Sequence, residues 1–221
     1  MTDADALELD RDVTAAAAAH QGLLAMLDDL LGSGRLDPAA ASRLPDWTVG
    51  HVLTHLARNA DSITRVLEAT SRGEVVDRYV GGGEGRNADI EAGAGRTAEE
   101  LVGDVRSSVW RLEQAWSRHH AWDGLSREAP GREIPVRDLV FARRREVEVH
   151  RADLGLGYEP EDWPDDYVRR ELRIMEMRWN ARQPMGLGGL PPAALALAPV
   201  DRLAWLLGRA EHESLPPAEV F

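Results

Sequence analysis

Residues 143–155 read RRREVEVHRADLG and place Glu146 and His150 four positions apart. Neither Gly nor Pro interrupts the run from 136 to 154, so it predicts a helix, on which positions i and i+4 share a face. Leu139, Ala142, Arg143 and Leu154 fall on roughly the same side, which marks that face as an inner one. A buried carboxylate and a buried imidazole are both costly unless something pairs with them. The partner has to come from elsewhere in the chain. Glu148 points away from this face and is expected in solvent, and the arginine run 143–145 reads as a solvated or anion-facing patch.

The partner search leads to HVLTHLARNAD at 51–61. A helix is expected to begin near DWTVGHVLTHL, capped by Asp46 or Thr48, with Trp47, Val49, Leu53, Leu56, Ile63 and Leu67 as its inner stripe. His51 and His55 are again four apart, and Leu53, Leu56 and Ile63 draw His55 toward the stripe. Two imidazoles and one carboxylate from two helices suit a divalent metal such as zinc. Three protein ligands would leave positions open for water or substrate. Each pair taken alone is a weak signal, because E-x-x-x-H and H-x-x-x-H on helices are most often surface or ion-paired faces. His20 reads as a satisfied core histidine near the inner stripe of the first helix, while His119, His120 and His212 carry no chemical signal.

Composition narrows the chemistry further. The 221 residues suffice for one core, or one core plus a small appended unit. A formal charge of −12 argues against a general nucleic-acid binder or an anionic-membrane binder. There is no Cys, hence no thiolate ligand or cysteine nucleophile, and all 26 basic residues are Arg, which excludes Schiff-base chemistry. Any thiol must come from outside. MTDADALELD is not a signal peptide and no apolar run approaches the roughly 20 residues that span a bilayer, so the chain is expected to be cytoplasmic.

Further helices are expected over residues 4–31, 97–120, 165–183 and 200–213, and the helix of the opening stretch covers 135–154, with Pro135 admitted in its first turn. The Gly-rich 73–96 reads as a long loop; its GGGEG lacks the Gly-Lys-Ser/Thr ending of a phosphate loop. WDGLSREAPGREIPV at 122–136 reads as a turn or small hairpin. Four long amphipathic segments predict a mainly α four-helix bundle.

Four segments, in order and at matching intervals, resemble the mycothiol-dependent maleylpyruvate isomerases, whose metal-binding domain is DinB-like. DWTVGHVLTHLARNADS is similar to the family's W-x(7)-H-[LV]-A-x-N-A segment, with Trp47 and His55 in the fixed places. RNADIEAGAGRTAEEL resembles R-N-x-x-I-x-x-G, RRREVEVHRADLG resembles R-E-V-x-x-H-x-x-D-L-G, and LLGRA is similar to a C-terminal A-G-R motif. The resemblance implies a DinB-like four-helix metal-binding domain over 1–155 and a small, mostly helical C-terminal extension over 156–221 that contributes to the active site. It puts the ligands of zinc, or another divalent metal, on His55, Glu146 and His150, and leaves His51 aside. It implies Arg209 as a catalytic and cofactor-binding residue, with Arg86 and Asn87 as further cofactor-binding candidates. The implied activity is cis–trans isomerisation of maleylpyruvate to fumarylpyruvate in gentisate breakdown, with mycothiol as the thiol and a small dicarboxylate as substrate. The alternative is a mycothiol-dependent S-transferase on the same scaffold; a metal-binding sensor or partner-binding module comes third. One departure stands out: family members carry clear strands before the Arg-bearing helix, and PPAALALAPVDRL offers little strand pattern.

Overall fold

The structure is a computed structural model that describes residues 1–128, 132–183 and 188–218. The chain divides into two compact units, Met1–Gly155 and Leu156–Phe221. The first holds α1 (Asp3–Gly32), α2 (Val49–Thr70), α3 (Gly82–Ala94), α4 (Ala98–Arg118), β1 (Leu125–Glu128), β2 (Arg132–Pro135) and α5 (Asp138–Asp153).

Three of these helices start at a Thr that the sequence places just ahead of them. Thr2, Thr48 and Thr97 each accept from the backbone N–H three residues on, and Asp5, His51 and Glu100 reach back to the cap N–H. Each such reciprocal cap satisfies two backbone donors that a helix start leaves orphaned. Thr48, rather than Asp46, therefore begins α2. The long helices α1, α2, α4 and α5 form the bundle around Leu9, Ala16, Ile63, Val66, Leu67, Leu112, Trp116, Leu139 and Val140. Full burial of each large apolar side chain is worth roughly 1.5–3 kcal/mol, and α2 is buried on almost every side.

Two expectations change here. Within 73–96, residues 82–94 form α3. The apolar pattern that would announce it is sparse, because only Ile90 and Ala94 are buried. The close approach of α3 to α2 comes from small residues instead: a Cβ at Gly50 would collide with the Ala94 carbonyl oxygen, and one at Gly93 would lie 2.5 Å from Thr54 Cγ2. Gly81, at φ +73°, makes the turn into the helix. Pro135 does not enter the fourth long helix; it closes the ladder opposite Leu125 in an antiparallel hairpin. Val136 N–H then donates to Gly124 O at 2.8 Å, and the helix waits until Asp138. The hairpin tip, 129–131, lies outside the described residues.

The second unit contains a 3-10 turn at Pro160–Asp162, α6 (Asp165–Arg182), α7 (Pro192–Leu195) and α8 (Pro199–Leu206). Trp205 is buried, its ring centroid 5.2 Å from that of Trp179, and its Nε1–H donates to Pro216 O at 2.9 Å. The last helix is shorter than the expected 200–213, ending before Gly208 at φ +70°. Of the Pro/Gly/Ala stretch before it, 184–187 lie outside the described residues. No described helix is long and apolar enough to cross a membrane. The architecture is mainly α, a four-helix bundle with a small, mostly helical C-terminal unit.

Candidate metal centre

The first turn of α2 assigns its two histidines to different tasks. His51 Nδ1 accepts from Thr48 N–H at 3.1 Å, so this ring closes the helix cap, and its Nε2 lies 3.4 Å from Glu91 Oε2. His55, one turn later, is 2% exposed and faces α5. Its Nε2 lies 2.7 Å from Glu146 Oε2, and His150 Nε2 lies 3.4 Å from the same oxygen. One ligand atom from each of the three residues falls within 4.8 Å of the others. The two imidazoles meet edge to face, with ring centroids 4.6 Å apart.

The flanking contacts differ. His150 Nδ1 lies 2.8 Å from Asp153 Oδ2, a buried carboxylate one helical turn on. Around His55, Trp47 packs at 5.7 Å between ring centroids, and Arg86 of α3 reaches Nδ1 through Nη2 at 3.1 Å. Arg86 Nη1 donates to Asn87 Oδ1 at 3.0 Å, and its guanidinium carbon sits 5.9 Å from the ring centroids of both Trp47 and Tyr79. Cation–π attraction at that range is modest but directional.

The ionisation of the cluster follows from these contacts. Burial pushes His55 down to about 4, even though its hydrogen bond to Glu146 works the other way. Burial would raise Glu146, but its hydrogen bonds with His150 and His55 outweigh that and hold its carboxyl well below the usual range. For His150 burial acts downward, and the carboxylates of Asp153 and Glu146 reverse it into a raised value. The cluster thus presents one carboxylate and an unprotonated His55 at neutral pH. Two imidazole nitrogens and one carboxylate oxygen fit a divalent cation with open positions.

The structure brings together His55, Glu146 and His150 and sets Arg86, with Asn87 beside it, against the first of them. Arg209 lies in the second unit, past the end of α8, where its Nη1 donates to Leu207 O at 2.7 Å. Two expectations for α5 are corrected. Glu148 is 2% exposed, with Arg144 Nε 3.7 Å from its carboxylate, and is not in solvent. The arginines at 143–145 are all buried. Arg143 Nε donates to His20 Nε2 at 3.0 Å and Nη1 donates to Leu56 O and Asn59 Oδ1, both at 2.9 Å, while Arg145 lies over the Phe141 ring. A helix buried on most sides has no solvated face to give its charges, so each takes a partner inside. Asp153 was legible as a carboxylate three residues after His150; nothing in the sequence signalled Tyr79. A cavity of about 320 Å³ lies elsewhere, between α2 and α4 beside Trp110 and Arg118, and shares no residue with the cluster.

Comparison with known proteins gives a consistent result. The family model described as "Mycothiol maleylpyruvate isomerase N-terminal domain" matches residues 13–155. Two solved structures, "Crystal structure of the mycothiol-dependent maleylpyruvate isomerase" and a point-substituted form of that enzyme, are 24% and 23% identical to this chain. Each match has a TM-score of 0.79 and covers 95% of this chain and 93% of the other, a likeness that establishes the shared fold. No curated protein matches the chain.

Proposed function

The chain belongs to the mycothiol maleylpyruvate isomerase N-terminal domain family, and from that premise we propose that it is a mycothiol-dependent isomerase converting maleylpyruvate to fumarylpyruvate, with His55, Glu146 and His150 holding zinc. The observation that carries the reading is the three-residue cluster, contributed by α2 and α5 and contained in the stretch that the family model covers. A metal bound there supplies Lewis acidity, which lowers the pKa of a thiol that binds it. Mycothiol supplies the nucleophile, whose reversible conjugate addition makes the substrate's double bond rotatable. The need for an external thiol agrees with a chain that has no Cys.

The chain's own residues do the rest. Glu146 brings the one negative charge among the three ligands, so a divalent site stays net positive and favours an anionic sulfur. Asp153 accepts from His150 Nδ1–H and keeps Nε2 turned toward Glu146. Arg86 and Asn87 are the binding residues contributed by α3. Arg209, planar and always charged, holds a substrate carboxylate or stabilises the oxygen on which negative charge develops during addition.

The test is the rate of maleylpyruvate isomerisation by zinc-loaded protein, with and without mycothiol, while free thiol is followed. Thiol-dependent turnover with thiol conserved supports the isomerase; stoichiometric thiol loss would make the protein an S-transferase instead. In the same assay Arg209→Ala should keep its zinc and lose about a hundredfold in turnover. Unchanged turnover would remove Arg209 from the active residues.

A further inference from the structure

The two histidines of the cluster are supported in opposite ways. His150 Nδ1 faces the Asp153 carboxylate at 2.8 Å, whereas His55 Nδ1 faces the Arg86 guanidinium at 3.1 Å. A guanidinium has N–H donors and no acceptor. His55 Nδ1 must therefore accept, and the ring proton sits on Nε2, from which it is donated to Glu146 Oε2 at 2.7 Å. That arrangement is complete without a metal. With its proton on Nε2, however, His55 cannot ligate a metal through that nitrogen, so the proton must move to Nδ1 when a metal binds. A neutral imidazole bound to a cation through Nε2 carries its proton on Nδ1 and needs an acceptor there. Arg86 would then oppose N–H with N–H, and its charge would face a divalent cation.

We propose that Arg86 binds one carboxylate of the substrate at this site and that metal binding makes it available. Ligation through His55 Nε2 expels the guanidinium from Nδ1, and the freed fork takes a carboxylate of a small dicarboxylic acid. Two observations support the second half. Arg86 is held by contacts that do not involve His55, over Trp47 and Tyr79 and against Asn87 Oδ1, so it swivels in place on release. Among the described residues no carboxylate pairs with it, although the chain has 38 acidic residues against 26 basic ones. A planar guanidinium without an internal anion matches an incoming carboxylate bidentately. The inference rests on the metal reading above, and adds that the site recognises the dicarboxylate only after it is loaded.

The experiment uses the full chain, stripped of metal. Zinc uptake is measured first, by competition with a chromophoric chelator. Nitrogen–proton correlation spectra of the His55 ring should show the proton on Nε2 without zinc and on Nδ1 with it. Arg86→Ala, which has no guanidinium to displace, should bind zinc roughly five- to tenfold tighter, the worth of one hydrogen bond. Maleate, used as the probe, should bind zinc-loaded protein, fail to bind the metal-free form, and bind zinc-loaded Arg86→Ala at least about tenfold more weakly. Failure of the wild-type protein to take up zinc would sink the metal reading and this inference together. Zinc uptake with the His55 proton still on Nε2, or with maleate affinity independent of Arg86, would overturn the inference alone.

Discussion

Asp153 decides which nitrogen of His150 faces Glu146. Its carboxylate is 1% exposed and lies 2.8 Å from His150 Nδ1, so the ring must present Nε2 inward. Outer carboxylates of this kind raise the basicity of a ligand and fix its orientation, and their loss commonly costs 10–100-fold in metal affinity. Asp153→Ala is therefore expected to weaken zinc binding by roughly that factor, with Asp153→Asn, which keeps an acceptor but no charge, in between. Equal affinities in all three proteins, measured by chelator competition, would show that the contact does not tune the site. At this scale the sequence was partly legible. Spacing put Glu146 and His150 on one face, and the apolar neighbours Leu53, Leu56 and Ile63 drew His55 toward the inner stripe, but spacing could not say what His51 does, because both histidines obey the same four-residue rule. The structure separates them by what each ring reaches: a cap at Thr48 or a carboxylate on α5.

At the scale of the element, α3 is the instructive helix. Its sequence, GGEGRNADIEAGA, has four glycines and one large apolar residue, a composition poor in helix propensity. What holds it is close approach to α2, with Gly50 against the Ala94 carbonyl and Gly93 against Thr54. Gly50→Ala should force the two backbones apart and destabilise the protein by about 1–3 kcal/mol. Because α3 carries Arg86, the substitution should also change the environment of His55. Denaturant unfolding and the His55 ring resonances check both; a variant as stable as the parent would mean that α3 does not depend on this contact. The reading of 73–96 as a loop followed from missing periodicity. Periodicity reports large apolar side chains and is blind to contacts made by their absence. The same blindness hid the burial of Arg143 on α5, whose partners come from α1 and α2.

For the whole molecule, the bundle encloses a second polar cluster whose behaviour reaches global stability. His20 of α1 is fully buried and stacks on Trp116 at 5.6 Å between centroids. Since Arg143 Nε donates to His20 Nε2, the proton is on Nδ1 and is donated to Glu113 Oε1 at 2.9 Å, so α1, α4 and α5 are joined through one ring. Burial lowers His20 from 6.5 to about 4. Below pH 6.5 the unfolded chain takes a proton at this histidine that the folded chain refuses until about pH 4. The stabilisation present at pH 7 is accordingly lost as the pH falls through that window, by roughly 3 kcal/mol. His20→Gln should flatten the fall in unfolding free energy between pH 6.5 and 4, although it weakens the core at every pH. Parallel pH profiles for variant and parent would show that His20 is not buried neutral.

The sequence by itself determined the mainly α class, the pairing of Glu146 with His150 on one face and, through four ordered segments, the family whose model matches 13–155. These are local properties: each depends on residues a turn or two apart, or on their order along the chain. Only the tertiary structure decided that His51 closes a helix cap, that Arg86 stands on the far nitrogen of His55, that α3 forms at all, and that Glu148 and the arginines of α5 are inside. Each of those outcomes depends on which groups from distant segments arrive within hydrogen-bonding distance. That is a property of packing, and no spacing within a single helix encodes it.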